Sequence, residues 1–222
     1  NRAIEVYAHH YSMSWPYEEM ASARPLRTSP LYQRLKKMGA VFGEKYGWER
    51  PNWFAPKGVA PKDKLKWGLP NWFEYVAKEH EAVRTKAALI DQTSFGKIEM
   101  KGKGTLSFLQ KMTDNQMDKP IGSTTYTQML NEKGGIECDL TATRLTEEQF
   151  YLVTGTVFIK HDMSWIRKHL PADGSISVTD ITSANACITL CGPESRNILN
   201  RLTGEDLSNQ GFPYMTCKEM TL

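Results

Sequence analysis

Long apolar runs are missing from this chain. No stretch approaches the roughly 18 consecutive apolar residues of a membrane-spanning helix, so no membrane partner is expected. No charged-then-apolar leader opens it either; it begins Asn1-Arg2-Ala3-Ile4 without Met, which predicts residues upstream. Charge of one sign is scarce. A net charge of +3 with no Lys/Arg run excludes a nucleic-acid patch. A G-x-G-x-x-G after a strand is absent, so no dinucleotide is bound here in the usual way. Lys101-Gly102-Lys103-Gly104 lacks phosphate-loop spacing and reads as a strand-to-helix turn.

Cysteine is sparse. The four, Cys138, Cys187, Cys191 and Cys217, make no disulfide framework in a chain of this size. Cys187 and Cys191 share a strand face about 13 Å apart at roughly 3.3 Å per residue, too far to bridge. Buried, reduced core cysteines and a reducing compartment are expected. Metal-ligand spacing is also lacking. His9-His10 are adjacent, so their side chains diverge, and no other ligand stands at a matching interval; no metal is expected.

With 222 residues, 40% hydrophobic and 24% charged, the chain is long and apolar enough for a sizeable core. Residues 1–28 carry Tyr7, Tyr11, Trp15 and Tyr17 without periodicity. Ser29-Pro30 reads as an N-cap and first helical proline, opening a short helix with Leu31, Leu35 and Met38 on one face and Gly39 at its end. Aromatics crowd the next stretch: Tyr46, Trp48, Trp53, Phe54, Trp67, Trp72 and Phe73. Pro-Asn-Trp-Phe occurs at 51–54 and again at 70–73, too short for a repeat architecture. Both copies read as anchors of an irregular segment, lacking helix or strand, that packs on a neighbouring surface.

Regular patterning begins near Asn71. Phe73, Val76, Ala77, His80, Val83 and Ala87 predict a helix to about Ala88, with His80 beside its apolar face as a structural histidine. Strands are predicted at 95–100, 150–153, 176–181 and 186–190, and helices at 104–112, 159–169 and 194–202. Strands and helices mix without strict alternation. An α+β fold on antiparallel sheet follows.

Two alternating arms flank Asn131-Glu132-Lys133-Gly134-Gly135 and predict a hairpin over 126–145. On its second arm Ile136, Cys138, Leu140 and Ala142 point inward, and Glu137, Asp139, Thr141 and Thr143 outward. Asp139 is unusual in mid-strand. Spacing alone leaves it either a solvated residue of the wet face or a functional carboxylate.

The words around it carry more. Tyr-Thr-x-x-Leu-Asn-x-x-Gly-Gly-x-x-x-Asp-Leu-Thr, from Tyr126 to Thr141, resembles the folate-binding domain of the glycine cleavage T-protein (aminomethyltransferase). It is closer still to the version fused to flavin-dependent sarcosine and dimethylglycine dehydrogenases. Glu79-His80, Leu89-Ile90-Asp91, Ser94-Phe95-Gly96-Lys97 and Gly192-Pro193 match the same domain. Arg24–Tyr32, Gly39–Lys45 and Gly47–Phe54 look like the connecting region of the flavin-linked branch, which stand-alone T-proteins lack.

The resemblance implies a connecting segment over 1–68 that follows a flavin-binding domain and packs on it. It implies the first part of a folate-binding domain over 69–222, cut short at Lys218–Leu222 before a downstream folate motif. By motif position Asp139 is the catalytic carboxylate that holds the bridging nitrogen of tetrahydrofolate, and Phe95, Tyr126 and Val153 line the pterin pocket. Cys138 replaces the first of the acidic pair usual in T-proteins, and Gly155 an asparagine common there. A carboxylate among aromatics is expected to be partly desolvated. The implied cofactors are tetrahydrofolate and, upstream, FAD. The implied reaction captures the one-carbon unit of an N-methyl amine as 5,10-methylene-tetrahydrofolate, in bacterial cytoplasm or mitochondrial matrix. The alternative is a non-catalytic relative of the pyruvate dehydrogenase phosphatase regulatory type.

Overall fold

A computed structural model describes residues 1–222, which divide into two compact units. The first comprises Asn1–Ser94 with Ala186–Ser195, and the second Phe95–Asn185 with Arg196–Leu222.

The first unit opens with α1 (Arg2–His10), a helix the aperiodic aromatics had hidden. Its side chains are mostly exposed, and its Glu5 carboxylate accepts from the Ala21 and Ser22 amides at 2.6 and 3.0 Å, which, with the Ser22 hydroxyl, holds its pKa down to about 2. The short helix α2 (Tyr32–Lys37) forms, but it starts two residues later than predicted, with Leu31 rather than Ser29 at its N-cap; the Ser29 hydroxyl accepts from the Leu31 amide at 3.2 Å in the turn before it. Gly39 ends it at φ +92, where a Cβ would strike the Ala55 carbonyl oxygen at 2.3 Å.

The aromatic stretch is not irregular. β1 (Ala40–Lys45) and β2 (Trp48–Phe54) form an antiparallel hairpin. Tyr46 and Gly47 turn it at φ 50 and 84, the left-handed pair a tight hairpin needs. Pro51 hid the strand from a propensity reading. It is accommodated opposite Phe42, where the register shifts, as strand prolines generally are at bulges. Trp53 is 1% exposed, packs with Val41 and Ala55, stacks on Tyr75 with centroids 5.7 Å apart, and donates its indole N–H to Asp63 at 2.7 Å. Tyr75 belongs to α3 (Phe73–Thr85), followed by β3 (Ala88–Asp91), which pairs antiparallel with β9 (Ile188–Cys191).

The second unit is built on one antiparallel sheet ordered β5-β6-β7-β4-β8. Its strands are β4 (Gly96–Lys101), β5 (Thr124–Leu130), β6 (Ile136–Arg144), β7 (Gln149–Thr154) and β8 (Ser177–Asp180). Helices α4 (Thr105–Met112) and α5 (Ile159–His169) cover one face, and the short α6 (Ser195–Leu199) follows β9 in the chain. Ile98, Met100, Met129, Leu140, Phe150 and Leu152 from the sheet meet Leu109, Met163 and Ile166 from the helices in a single core. The α+β, antiparallel expectation holds.

Two details differ from expectation. Cys138, Leu140 and Ala142 face the core, but Ile136 is 67% exposed, because β5 slips register between Met129 and Leu130 at the hairpin tip. All four cysteines are free, yet Cys138 alone is buried; Cys187 and Cys191 are half-buried and Cys217 is exposed. The β3–β9 pair is a two-stranded sheet, too small to bury a strand on both faces.

Candidate functional site

The hairpin β5–β6 sets Gln128 opposite Asp139 and Tyr126 opposite Thr141. Thr141 pairs onward with Val153 on β7, so Tyr126, Thr141 and Val153 form one cross-strand row. Phe95 stands just before β4, and Gly155 and Phe158 follow β7 on the way into α5. Together with Asp139, Leu140 and Thr154 these residues line a cavity of about 340 Å³. All four residues named from the sequence, Phe95, Tyr126, Asp139 and Val153, stand in its wall.

Its polar equipment is small. Interaction with the neighbouring Asp139 carboxylate holds the Tyr126 phenol pKa above its ordinary value. Gln128 Nε2 reaches Asp139 Oδ1 only at 3.5 Å, a weak contact. Asp139 is exposed, so the partial desolvation expected of it is not supplied by this cavity. Edge strand β5 is pinned by Asp114, whose carboxylate accepts from the Gln128 amide at 2.9 Å and the Thr127 hydroxyl at 2.8 Å; these bonds lower its pKa.

Behind the wall lies a polar cluster. Asp162 on α5 is 0% exposed and accepts from the Thr154 hydroxyl at 2.6 Å, with His161 Nδ1 3.1 Å from its other oxygen. The Cys138 thiol, immediately before Asp139 but on the opposite face, is raised well above its ordinary pKa by burial first and by the Asp162 charge next. Glu137 lies 3.4 Å from His161 Nε2 and is held by Asn131 Nδ2 at 2.8 Å. Cys138, His161 and Asp162 each offer a ligand atom within 4.8 Å of the others. The Thr154 hydroxyl and His161 Nδ1 already occupy the two oxygens of the buried Asp162 carboxylate.

Sequence reasoning missed Leu140, Thr141, Thr154 and Phe158 as cavity residues. The first three adjoin named positions on the same strands. Phe158 carried a usable signal: a bulky apolar residue just before the predicted helix at Ile159. Gly155, noted only as a departure from the T-protein pattern, stands in the wall beside it.

The sheet, the covering helices and a largely apolar cavity lined by one carboxylate make an α+β domain with a pocket of small-molecule size. Residues 31–222 match the GCVT N-terminal domain, and the chain belongs to that family. Residues 1–29 match the FAD dependent oxidoreductase central domain.

Over its whole length the chain is 34% identical to the mitochondrial pyruvate dehydrogenase phosphatase regulatory subunit of Mus musculus, covering 26% of that protein. It is 37% identical, over 92% of its length, to 4-methylaminobutanoate oxidase (formaldehyde-forming) of Paenarthrobacter nicotinovorans, covering 25% of it. With human mitochondrial sarcosine dehydrogenase it shares 32% identity over 98% of its length and 28% of the enzyme. The chain therefore spans about a quarter of these relatives. The crystal structure of the glycine cleavage system aminomethyltransferase T from Bartonella henselae superposes with a TM-score of 0.65 and 28% identity, over 80% of this chain and 44% of that one.

Proposed function

We propose that this chain is the tetrahydrofolate-dependent one-carbon-capture module of an FAD-dependent N-methyl amine dehydrogenase or oxidase of the sarcosine/dimethylglycine type. The observation that carries the reading is the convergence of Phe95, Tyr126, Asp139 and Val153 on one cavity. Residues 1–68 then form the connecting segment that packs on an upstream flavin-binding domain of the same protein, and 69–222 the first part of the folate-binding domain. The match of residues 1–29 to a flavoenzyme domain supports that arrangement. The relatives' mitochondrial and bacterial origins fit a matrix or bacterial cytoplasmic setting.

The residues fit the group. Bound folate supplies nucleophilic nitrogens; the chain supplies their setting. Asp139 accepts an N–H hydrogen bond, orients the amine and offsets positive charge that develops there. Tyr126 stands beside the same carboxylate in the cavity lining. Phe95, Leu140, Val153 and Phe158 form apolar walls that bury a flat ring and exclude water. In water a one-carbon iminium hydrolyses to formaldehyde, so excluding water decides which product forms.

A second reading, a non-catalytic regulatory or scaffold subunit, is supported by the 34% identity to the phosphatase regulatory subunit. Turnover of sarcosine and dimethylglycine by the full-length protein, with and without tetrahydrofolate, separates the two. Amine oxidation with methylene-tetrahydrofolate as product is the expected result. Absence of both oxidation and folate binding would establish the scaffold role instead.

A further inference from the structure

We infer that Phe158 is a further ligand-binding residue of this cavity, an aromatic wall that stacks on the flat pterin ring of bound folate; this rests on the folate reading above. Phe158 is 55% exposed although it lines a concave, largely apolar surface. A large aromatic left open inside a cavity gains from a flat ligand that covers it.

Its mounting is built for the task. Phe158 N–H donates to the Gly155 carbonyl at 2.9 Å, and its own carbonyl accepts from the Asp162 amide at 2.8 Å. The same Asp162 takes the Thr154 hydroxyl through its side chain at 2.6 Å. The turn from Thr154 to Asp162 is thus closed at both ends and held before any ligand arrives. A wall fixed in advance loses little conformational freedom on binding.

Glycine at 155 is part of the device. A Cβ there would lie 3.1 Å from Phe158 Cδ2 and 3.6 Å from Cε2. The phenyl ring therefore rests against the residue 155 backbone, in space that a larger side chain would claim. Asp139 and Tyr126 are the polar members of the same lining, and Phe95 and Val153 its other apolar ones. Apolar walls with a hydrogen-bond acceptor suit a flat heterocycle that buries its faces and carries N–H at its edge.

The test is calorimetric titration of full-length protein with 5-formyl-tetrahydrofolate, comparing wild type, Phe158→Ala, Phe158→Leu, Phe158→Trp and Gly155→Val. Loss of one aromatic stacking partner predicts about tenfold weaker binding for Phe158→Ala. Phe158→Leu keeps apolar bulk without a ring and falls similarly, whereas Phe158→Trp stays near wild type. Gly155→Val displaces the ring and weakens wild type, but adds little on top of Phe158→Ala. Wild-type affinity in Phe158→Ala or Phe158→Leu, with folate bound normally, overturns the stacking role alone. No binding by wild type overturns the folate reading, and this inference with it.

Discussion

Tyr126 on β5 and Asp139 on β6 line the same cavity, and interaction with the Asp139 carboxylate is the main reason the tyrosine resists ionisation. A raised pKa means that the protonated phenol is the form the fold favours. That interaction is therefore intact below the ordinary phenol range near about 10 and is lost as pH rises through the raised value. Tyr126→Phe removes it without disturbing the core, since Tyr126 is 53% exposed. The expected outcome is about threefold to tenfold weaker folate binding with unchanged thermal stability. In Asp139→Asn, an ultraviolet titration shows the Tyr126 phenolate forming at lower pH than in wild type.

The network behind the cavity carries stability. Asp162→Ala leaves the Thr154 hydroxyl buried without its acceptor and takes away the partner of His161 Nδ1. A loss of about 2–4 kcal/mol is expected from the unsatisfied donors and the lost charge-assisted bonds. Thr154→Val removes only one donor and costs about 1–2 kcal/mol. Urea titration of the variants checks the order, and equal effects would show that Thr154 is the sole important partner.

Thiol labelling probes the same network. Cys138 is 1% exposed with its pKa raised, while Cys217 lies open to solvent. Alkylation at mildly alkaline pH should modify Cys217 first and leave Cys138 unmodified until the domain opens. Asp162→Ala removes the neighbouring charge and loosens the packing, so Cys138 labelling accelerates. Mass spectrometry of tryptic peptides reads the sites directly.

In the first unit the decisive side chain is Trp53. Its burial, its stack on Tyr75 and its bond to Asp63 join β2 to α3 and the loop between them. Trp53→Ala should cost about 3–5 kcal/mol. Trp67→Ala, at a residue 63% exposed, should cost little. Comparing their urea midpoints tests whether the aromatic stretch is a folded hairpin.

Much of the second unit was legible because its periods are clean. The alternation from Cys138 to Ala142 fixes one face of β6, and Met163 and Ile166 mark the buried side of α5, both as observed. The first unit was harder. Pro51 and a Glu/Arg-rich strand argue against β structure locally, and only the Tyr46-Gly47 turn and the packing of Trp53 override that. Helix α1 buries none of its side chains, so no apolar stripe announced it. The motif from Tyr126 to Thr141 pointed to the cavity, but Phe158 enters it through tertiary placement of the turn before α5, which spacing along the chain does not report.

The most direct measurement is the partition of the oxidised methyl group in full-length protein, between methylene-tetrahydrofolate and free formaldehyde, for wild type and Asp139→Asn. Removing a preorganised charge from the reacting nitrogen is predicted to lower methylene-tetrahydrofolate formation by about 10²-fold, while amine oxidation continues and formaldehyde rises to match. An unchanged partition in Asp139→Asn would contradict the assignment of Asp139 as the carboxylate that directs one-carbon capture.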